Sequence, residues 1–437
     1  MPQTVTRMQT TRARKPAAGR ACAALATITL LSGHAAAQRA FTWQEIKDRF
    51  VASNPTLQAA RIGIEESRAQ EVTAYLRPNP ALTVASDGTQ LAPADGAWRP
   101  FAGTQFSVAG SYLHERQHKR ELRLESAQRA TTVAESQLAD QERSLLFNLR
   151  SAFVQTLQAK AILALAYENL SYYDQVLKLS RDRKQAGDIA QVDLDRLELQ
   201  RVQYQTDVQT ATVNVRTAKI QLLLLLNDRT PVETFDVTGA YEFADRLLTL
   251  EELHAAALDA RPDLRAAVQA IEKSKADHRL AVANGSADPT FSGWVTHNPS
   301  FNNPFDANSI GASITIPLRI FDKNQGEKAR TEIDIRRTER LRAAAEMQVF
   351  SDVDSALATL NSNLALLRPY KASYLDQAAR IRETISFSYQ RGGASLLDFL
   401  QAQQEYRAVQ LNYLNLIGAY LASASQLNFA IGREVLP

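Results

Sequence analysis

The residues with the plainest chemical spacing are His114-Glu115-Arg116-Gln117-His118, which spell H-E-x-x-H. On a helix, two histidines four apart share one face, where they can bind zinc while the glutamate acts as general base. That arrangement would make the chain a zinc metallopeptidase. The neighbours argue against it: Arg116 stands inside the motif and Lys119-Arg120 follow it, whereas a buried zinc helix needs uncharged surroundings. The other histidines of the exported chain, His254, His278 and His297, are isolated and suit surface or packing roles.

The elements around the motif decide its meaning, and they come in duplicate. The chain resembles itself at an offset of about 207 residues, a signal to read before any motif. Asn54-Pro55-Thr56-Leu57 through Ala60 recurs as Arg261-Pro262-Asp263-Leu264 through Ala267, and Phe106 through Arg123 returns as Ser313 through Arg330. Asn79-Pro80-Ala81-Leu82 reappears as Asp288-Pro289-Thr290-Phe291, and Gly187 with Asp193 answers Gly392 with Asp398. In this alignment the H-E-x-x-H segment falls on Phe321-Asp322-Lys323-Asn324-Gln325, where no metal ligand survives. It reads as a strand-to-helix junction, and no catalytic, cofactor or metal site is expected.

The N-terminus must be set aside before the fold is considered. Arg7, Arg12, Arg14, Lys15 and Arg20 precede the apolar stretch Ala21 to Leu31, which ends in Ala35-Ala36-Ala37. This order is a secretory signal peptide, residues 1–37, with an apolar run short of the roughly 20 residues a spanning helix needs. Its loss removes five basic and no acidic residues, taking the formal net charge from +3 to −2. The basic balance therefore carries no implication of nucleic acid. The single cysteine, Cys22, leaves as well, so packing alone must hold the exported protein. No later segment is apolar enough to cross a bilayer as a helix, so any membrane contact falls to strands.

Each half reads as helix, strand hairpin, very long helix, turn and long helix. The boundaries expected are 38–228 for the first repeat, with strands near 80–87 and 104–112, and 229–250 for a connecting segment. The second repeat takes 251–437, with strands near 288–297 and 309–317. From Arg116 to Lys184 there is neither glycine nor proline, and a helix of that span is roughly 100 Å long. Such helices bridge a distance. Pro369 should kink its counterpart. In the second strand of the second half, Ile310, Ala312, Ile314 and Ile316 alternate with Gly311, Ser313 and Thr315. One apolar and one wettable face suit a water-filled membrane barrel; the pattern equally suits an ordinary hairpin lying on helices. Four short strands cannot close a barrel alone, which suggests that several chains share one.

This layout and its junctions resemble the TolC-like outer-membrane factors, the family of efflux and secretion ducts, from about Phe41 to Leu436. The specific stretches are Tyr75-Leu76-Arg77-Pro78-Asn79-Pro80-Ala81-Leu82, Ile316-Pro317-Leu318 through Phe321-Asp322-Lys323-Asn324-Gln325-Gly326, and Tyr389-Gln390-Arg391-Gly392-Gly393 leading to Leu396-Leu397-Asp398. The Phe-Asp-Lys-Asn-Gln-Gly segment is most similar to the subgroup serving heavy-metal and other cation pumps. The resemblance implies a mostly α protein with a small β-barrel contribution. It implies a homotrimer whose twelve-stranded barrel sits in outer-membrane lipid and continues into an α-helical periplasmic tunnel. The implied function is passive conduction of metal cations, drugs or organic solutes. The implied partners are a periplasmic adaptor (membrane fusion) protein and an inner-membrane pump of the resistance-nodulation-division type.

The resemblance also implies a gate at the periplasmic tip, where turns Gly187 and Gly392-Gly393 close the helix pairs. Tyr389 and Asp193 match positions that form a polar link there, and Asp398 matches a ring aspartate. Two departures are Ala394 at an arginine position and Gln401 at the second ring position, which imply a gate of lower charge. Asp193 and Asp398 also suit plain helix N-terminal roles after a glycine turn. The aromatics Trp98, Phe101, Phe106, Tyr112, Phe291, Trp294, Phe301 and Phe305 suit interfacial girdles or ordinary packing. Besides the peptidase, the competing reading is a periplasmic coiled-coil adaptor or scaffold, but adaptors flank one helical hairpin with β-rich modules and this chain has two hairpins and few strands.

Overall fold

In a computed structural model, the described residues are 40–93, 96–101, 103–244, 249–298 and 307–436. The signal peptide 1–37 with Cys22, and the aromatics Phe301 and Phe305, lie outside them. Two long helical hairpins dominate, each preceded by a pair of shorter helices and a strand hairpin. The first half runs β1 (Ala40–Phe41), α1 (Trp43–Ser53), α2 (Pro55–Tyr75), β2 (Ala81–Asp87), β3 (Gln105–Leu113), α3 (Lys119–Ala186) and α4 (Gln191–Leu225). After β4 (Asp236–Val237), the second runs α5 (Leu250–Ala260), α6 (Pro262–Asn284), β5 (Thr290–His297), β6 (Asn308–Thr315), α7 (Gln325–Pro369), α8 (Leu375–Gln390) and α9 (Leu396–Ile431). The helix α3 alone has 68 residues, about 100 Å at 1.5 Å per residue. Among the described residues no helix is long and apolar enough to cross a membrane.

Local chemistry sets the repeated boundaries. Proline opens both α2 and α6, where its missing N–H is no loss and its fixed φ is already helical. Asn54 adds a cap to α2, its Oδ1 accepting from the Leu57 N–H at 3.1 Å. Pro369 ends the regular part of α7, and the interruption takes the form of a five-residue π-helical stretch, Tyr370–Tyr374, before α8 resumes. Proline removes a ladder donor, and the wider i→i+5 turn absorbs the misfit.

Packing follows the halves and then joins them. One core gathers Ile46 and Phe50 of α1, Leu57 of α2, Leu149 and Phe153 of α3, Leu222 of α4, and Phe235 and Val237. A second gathers Leu253, Val353, Leu360, Tyr420 and Leu427 with Val154 of α3. Arg261, only 4 % exposed, fastens the second half: it pairs with Asp263 at 2.6 Å and Asp352 at 2.7 Å, and donates to the Ala430 carbonyl at 3.2 Å. Burial alone would raise the Asp263 carboxyl, but the Arg261 bonds outweigh it and hold the pKa below the ordinary value. In the first half β1 pairs in parallel with β4, and Asp236 of β4 takes both Lys160 (2.8 Å) and Lys219 (3.0 Å).

Candidate functional site

The two strand hairpins join in one antiparallel sheet of order β2-β3-β5-β6. Residues directly opposite each other in such a sheet share a face, so the register sorts every side chain. One face carries Leu82 and Val84, Phe106, Val108 and Tyr112, Phe291 and Val295, and Ile310, Ala312 and Ile314. The other carries Thr83, Gln105, Ser107 and Ser111, Thr290, Ser292 and Thr296, and Ser309, Ser313 and Thr315. The apolar face is bare in the single chain, with Leu82 75 % and Ile310 86 % exposed. An apolar face backed by hydroxyls is the division a membrane barrel makes between lipid and lumen. The outer strands β2 and β6 have no further strand beside them among the described residues.

The aromatics divide accordingly. Phe106, Tyr112 and Phe291 lie on the apolar face, as a girdle requires. Trp294 does not: it pairs with Ala109 and Gly311 and belongs to the hydroxyl-lined face. A period of two decided this, since Trp294 is one residue out of step with Phe291 and Val295. Trp98 and Phe101 are exposed in the β2–β3 loop, where the Trp98 indole donates to the Gln90 carbonyl at 3.4 Å.

At the far ends of the long helices the two glycine turns have the same construction. Gly187 has φ +84° and Gly392 φ +78°, a left-handed conformation that glycine adopts without a Cβ penalty. The Gly187 N–H donates to the Lys184 carbonyl and the Asp188 N–H to the Arg183 carbonyl, at 3.1 and 2.9 Å. The Gly392 and Gly393 N–H groups make the matching bonds to the Tyr389 and Ser388 carbonyls, at 3.1 and 2.8 Å. Both are Schellman caps, which satisfy the orphan carbonyls that end α3 and α8. A side chain at Gly393 would also crowd Ser388 Oγ.

Side chains hold the two turns together. Tyr173, Leu177, Leu197, Tyr204, Tyr389, Leu396 and Phe399 form one buried cluster from α3, α4, α8 and α9. The Arg183 guanidinium donates to the Tyr389 carbonyl at 3.1 Å and sits 5.5 Å from that ring's centroid. Tyr389 is 6 % exposed; its hydroxyl is enclosed beside Ser180, with no partner at hydrogen-bond geometry among the described residues. Burial, with the Asp193 carboxylate nearby, raises its pKa. Tyr389 and Asp193 are thus neighbours, but no hydrogen bond joins them within the chain. Asp193 lies in the first turn of α4, where the methyl of the N-cap Ala190 can make no capping hydrogen bond. Asp398 is exposed and completes a capping box on α9: its Oδ2 accepts from the Ser395 N–H (3.1 Å) and Oγ (2.7 Å), and Ser395 Oγ accepts from the Asp398 N–H (3.2 Å). These bonds lower its pKa. Gln401, one turn on, is exposed and donates to Glu405 at 2.9 Å.

The H-E-x-x-H segment is not helical. Gln117 and His118 have φ +58° and +54°, α3 begins only at Lys119, and the two histidines therefore do not share a helix face. Glu115 is occupied by Arg123. Lys119, 4 % exposed, pairs with Asp288 at 2.6 Å and donates to the Ser286 carbonyl at 2.9 Å. Asn324, at the start of α7, is left-handed like Gln117 (φ +60°), so both repeats turn from strand to helix by the same device.

Several residues of this region carry no motif. Arg183, Phe399 and the stacked pair Tyr173–Tyr204, 4.6 Å between centroids, look like ordinary helix positions in the sequence. Arg382 lies over Tyr172 and Tyr406, 4.7 and 3.9 Å from their centroids, and Arg407 of α9 pairs with Asp207 of α4 at 2.6 Å. The signal available was the run of aromatic residues on both sides of each glycine turn.

Comparison with known proteins agrees with this geometry. The family profile described as outer membrane efflux protein matches residues 253–433. The cobalt-zinc-cadmium resistance protein CzcC of Cupriavidus metallidurans is 23 % identical over 392 residues, 87 % of each chain. Among solved structures, CusC, described for its transmembrane channel formation, superposes with a TM-score of 0.74 at 18 % identity, covering 90 % of this chain and 92 % of that one. The MtrE outer membrane channel of Neisseria gonorrhoeae gives 0.70 at 18 % identity, covering 90 % and 89 %. The chain has the fold of the TolC-like outer-membrane channels, and its residues 253–433 match the outer membrane efflux protein family.

Proposed function

We propose that the protein is the outer-membrane exit duct of a tripartite efflux system, a passive conduit rather than an enzyme. The observation that carries this reading is the sheet. It is apolar on one face and hydroxyl-lined on the other, with two open edges. In lipid each unpaired edge group costs several kcal/mol, so a membrane-spanning sheet must close on itself. Three copies of a four-stranded sheet give twelve strands, within the even-numbered range of outer-membrane barrels. The long helices then continue each sheet into the periplasm, ending at the Gly187 and Gly392-Gly393 turns. Asp193, Tyr389, Asp398 and Gln401 stand at that end and form its gate. A periplasmic adaptor and an inner-membrane resistance-nodulation-division pump supply cargo and energy.

Metal cations lead as cargo, on the likeness to a cobalt-zinc-cadmium resistance protein; drugs or organic solutes come second. A host lacking the protein should accumulate zinc, cobalt or cadmium and recover when the gene is restored. Unchanged metal content with new sensitivity to organic compounds would move the cargo reading to the second class.

A further inference from the structure

Among the described strand residues, the hydroxyl-lined face holds one aromatic side chain, which the duct reading leaves unused. Trp294 occupies the row Thr83–Ala109–Trp294–Gly311, one residue from each strand. Its two immediate neighbours are the smallest on that row. A Cβ built at Gly311 would lie 2.6 Å from the indole Nε1 and nearer still to Cε2 and Cζ2. The ring therefore lies across the Gly311 backbone, in the space any other residue's side chain would fill. Elsewhere on this face the strands present mostly Ser, Thr and Ala, with Asp87 and Gln105 at one end and Leu113 at the other, and Ser309 and Ser313 stand on either side of Gly311. A ring laid over an adjacent-strand glycine covers backbone that would otherwise be bare, a pairing known to steady sheets.

We infer that Trp294 is a lumen-lining residue which Gly311 seats against the wall, and that this pair sets the bore of the barrel. The inference rests on the duct reading, which supplies the lumen. Three copies would place three indoles at one level, each folded onto its neighbouring strand. A side chain at Gly311 would lift the indole off the wall and into the channel. Large rings standing in the bore would narrow it for bulky cargo and leave water and small ions a path.

The test uses the full exported chain in lipid vesicles with Trp43→Phe and Trp98→Phe, which leaves Trp294 the sole tryptophan of three. Its fluorescence should be quenched by aqueous acrylamide and not by bromine-labelled lipid, and Gly311→Val should increase the acrylamide quenching. Quenching by brominated lipid in inserted protein, or a Gly311→Val variant with unchanged quenching, would overturn the inference while leaving the duct intact. A chain that never enters vesicles would overturn both. Should Gly311→Val fail to insert, the Trp294→Ala/Gly311→Val pair decides: recovered insertion supports the seat, and continued failure overturns it. In planar bilayers, Gly311→Val should reduce passage of bulky solutes and Trp294→Ala should not.

Discussion

The Tyr389 ring stacks on the Phe399 ring, with centroids 4.9 Å apart and planes 20° apart, and so ties the last turn of α8 to the first turn of α9 across the Gly392 bend. The contact is made by the faces of the rings, while the Tyr389 hydroxyl, beside Ser180, has no partner at hydrogen-bond geometry among the described residues. The stack, rather than the hydroxyl, accounts for the closure of this turn. Tyr389→Phe should therefore leave single-channel conductance near the wild-type value. Tyr389→Ala empties a buried aromatic site, at a cost of about 3 kcal/mol, and should raise conductance. Equal effects of the two substitutions would return the role to the hydroxyl.

Asp398 has two duties that can be separated. Its capping box holds the first turn of α9, and its charge faces solvent. Ser395→Ala removes the reciprocal bond and should cost about 1 kcal/mol of local stability. Asp398→Asn keeps acceptor geometry but removes the charge, and should weaken block by divalent cations in planar bilayers without that loss. Because the Ser395 bonds lower the carboxyl's pKa, cation block in the wild type should persist down to about pH 4 and fade only below it. Block insensitive to Asp398→Asn would reduce the residue to a helix cap.

The Arg261 cluster predicts acid sensitivity of a definite sign. The folded pKa of Asp263 lies below its unfolded value, so its contribution is fully present above the unfolded value. It is lost as pH falls through the folded one. Thermal stability should drop below about pH 4, and Asp263→Asn should flatten that drop. Asp352→Ala, which leaves Arg261 with fewer acceptors, should cost about 1–3 kcal/mol, read as a lower unfolding temperature.

At the junction of sheet and tunnel, Lys119 and Asp288 link the start of α3 to the residues before β5. Removing one partner of a buried pair is expensive, about 3 kcal/mol. Lys119→Met should thus lower the temperature at which assembled protein dissociates on gels. His118→Ala, at an 88 % exposed side chain, should leave that temperature unchanged.

Much of this was legible in the sequence, and the reasons are local. Pro55 and Pro262 open equivalent helices, and the Gly187 and Gly392 turns cap equivalent ones, so the duplication could be read from residues whose backbone demands are strict. The alternation of Ile310, Ala312, Ile314 and Ile316 located a strand and its faces because a period of two admits no other arrangement. Trp294 stands apart from the girdle aromatics because register, which residue type does not carry, sets the face a strand side chain takes. Of the links of the tip, Arg183 to the Tyr389 carbonyl joins helices far apart in the chain, and Tyr389 to Phe399 crosses the Gly392 bend; no motif spacing records either. Pro369 announced an interruption, but whether the helix would kink or widen to a π stretch depended on how the neighbouring turns could be satisfied.

An outer-membrane duct must conduct across the lipid as a closed assembly. Purified protein carrying residues 38–437 should be added to a planar lipid bilayer and the current recorded at fixed voltage. The expected result is a series of discrete, uniform steps as single trimers insert, with step size raised by Tyr389→Ala. A bilayer that stays silent while the protein remains soluble and monomeric would contradict it.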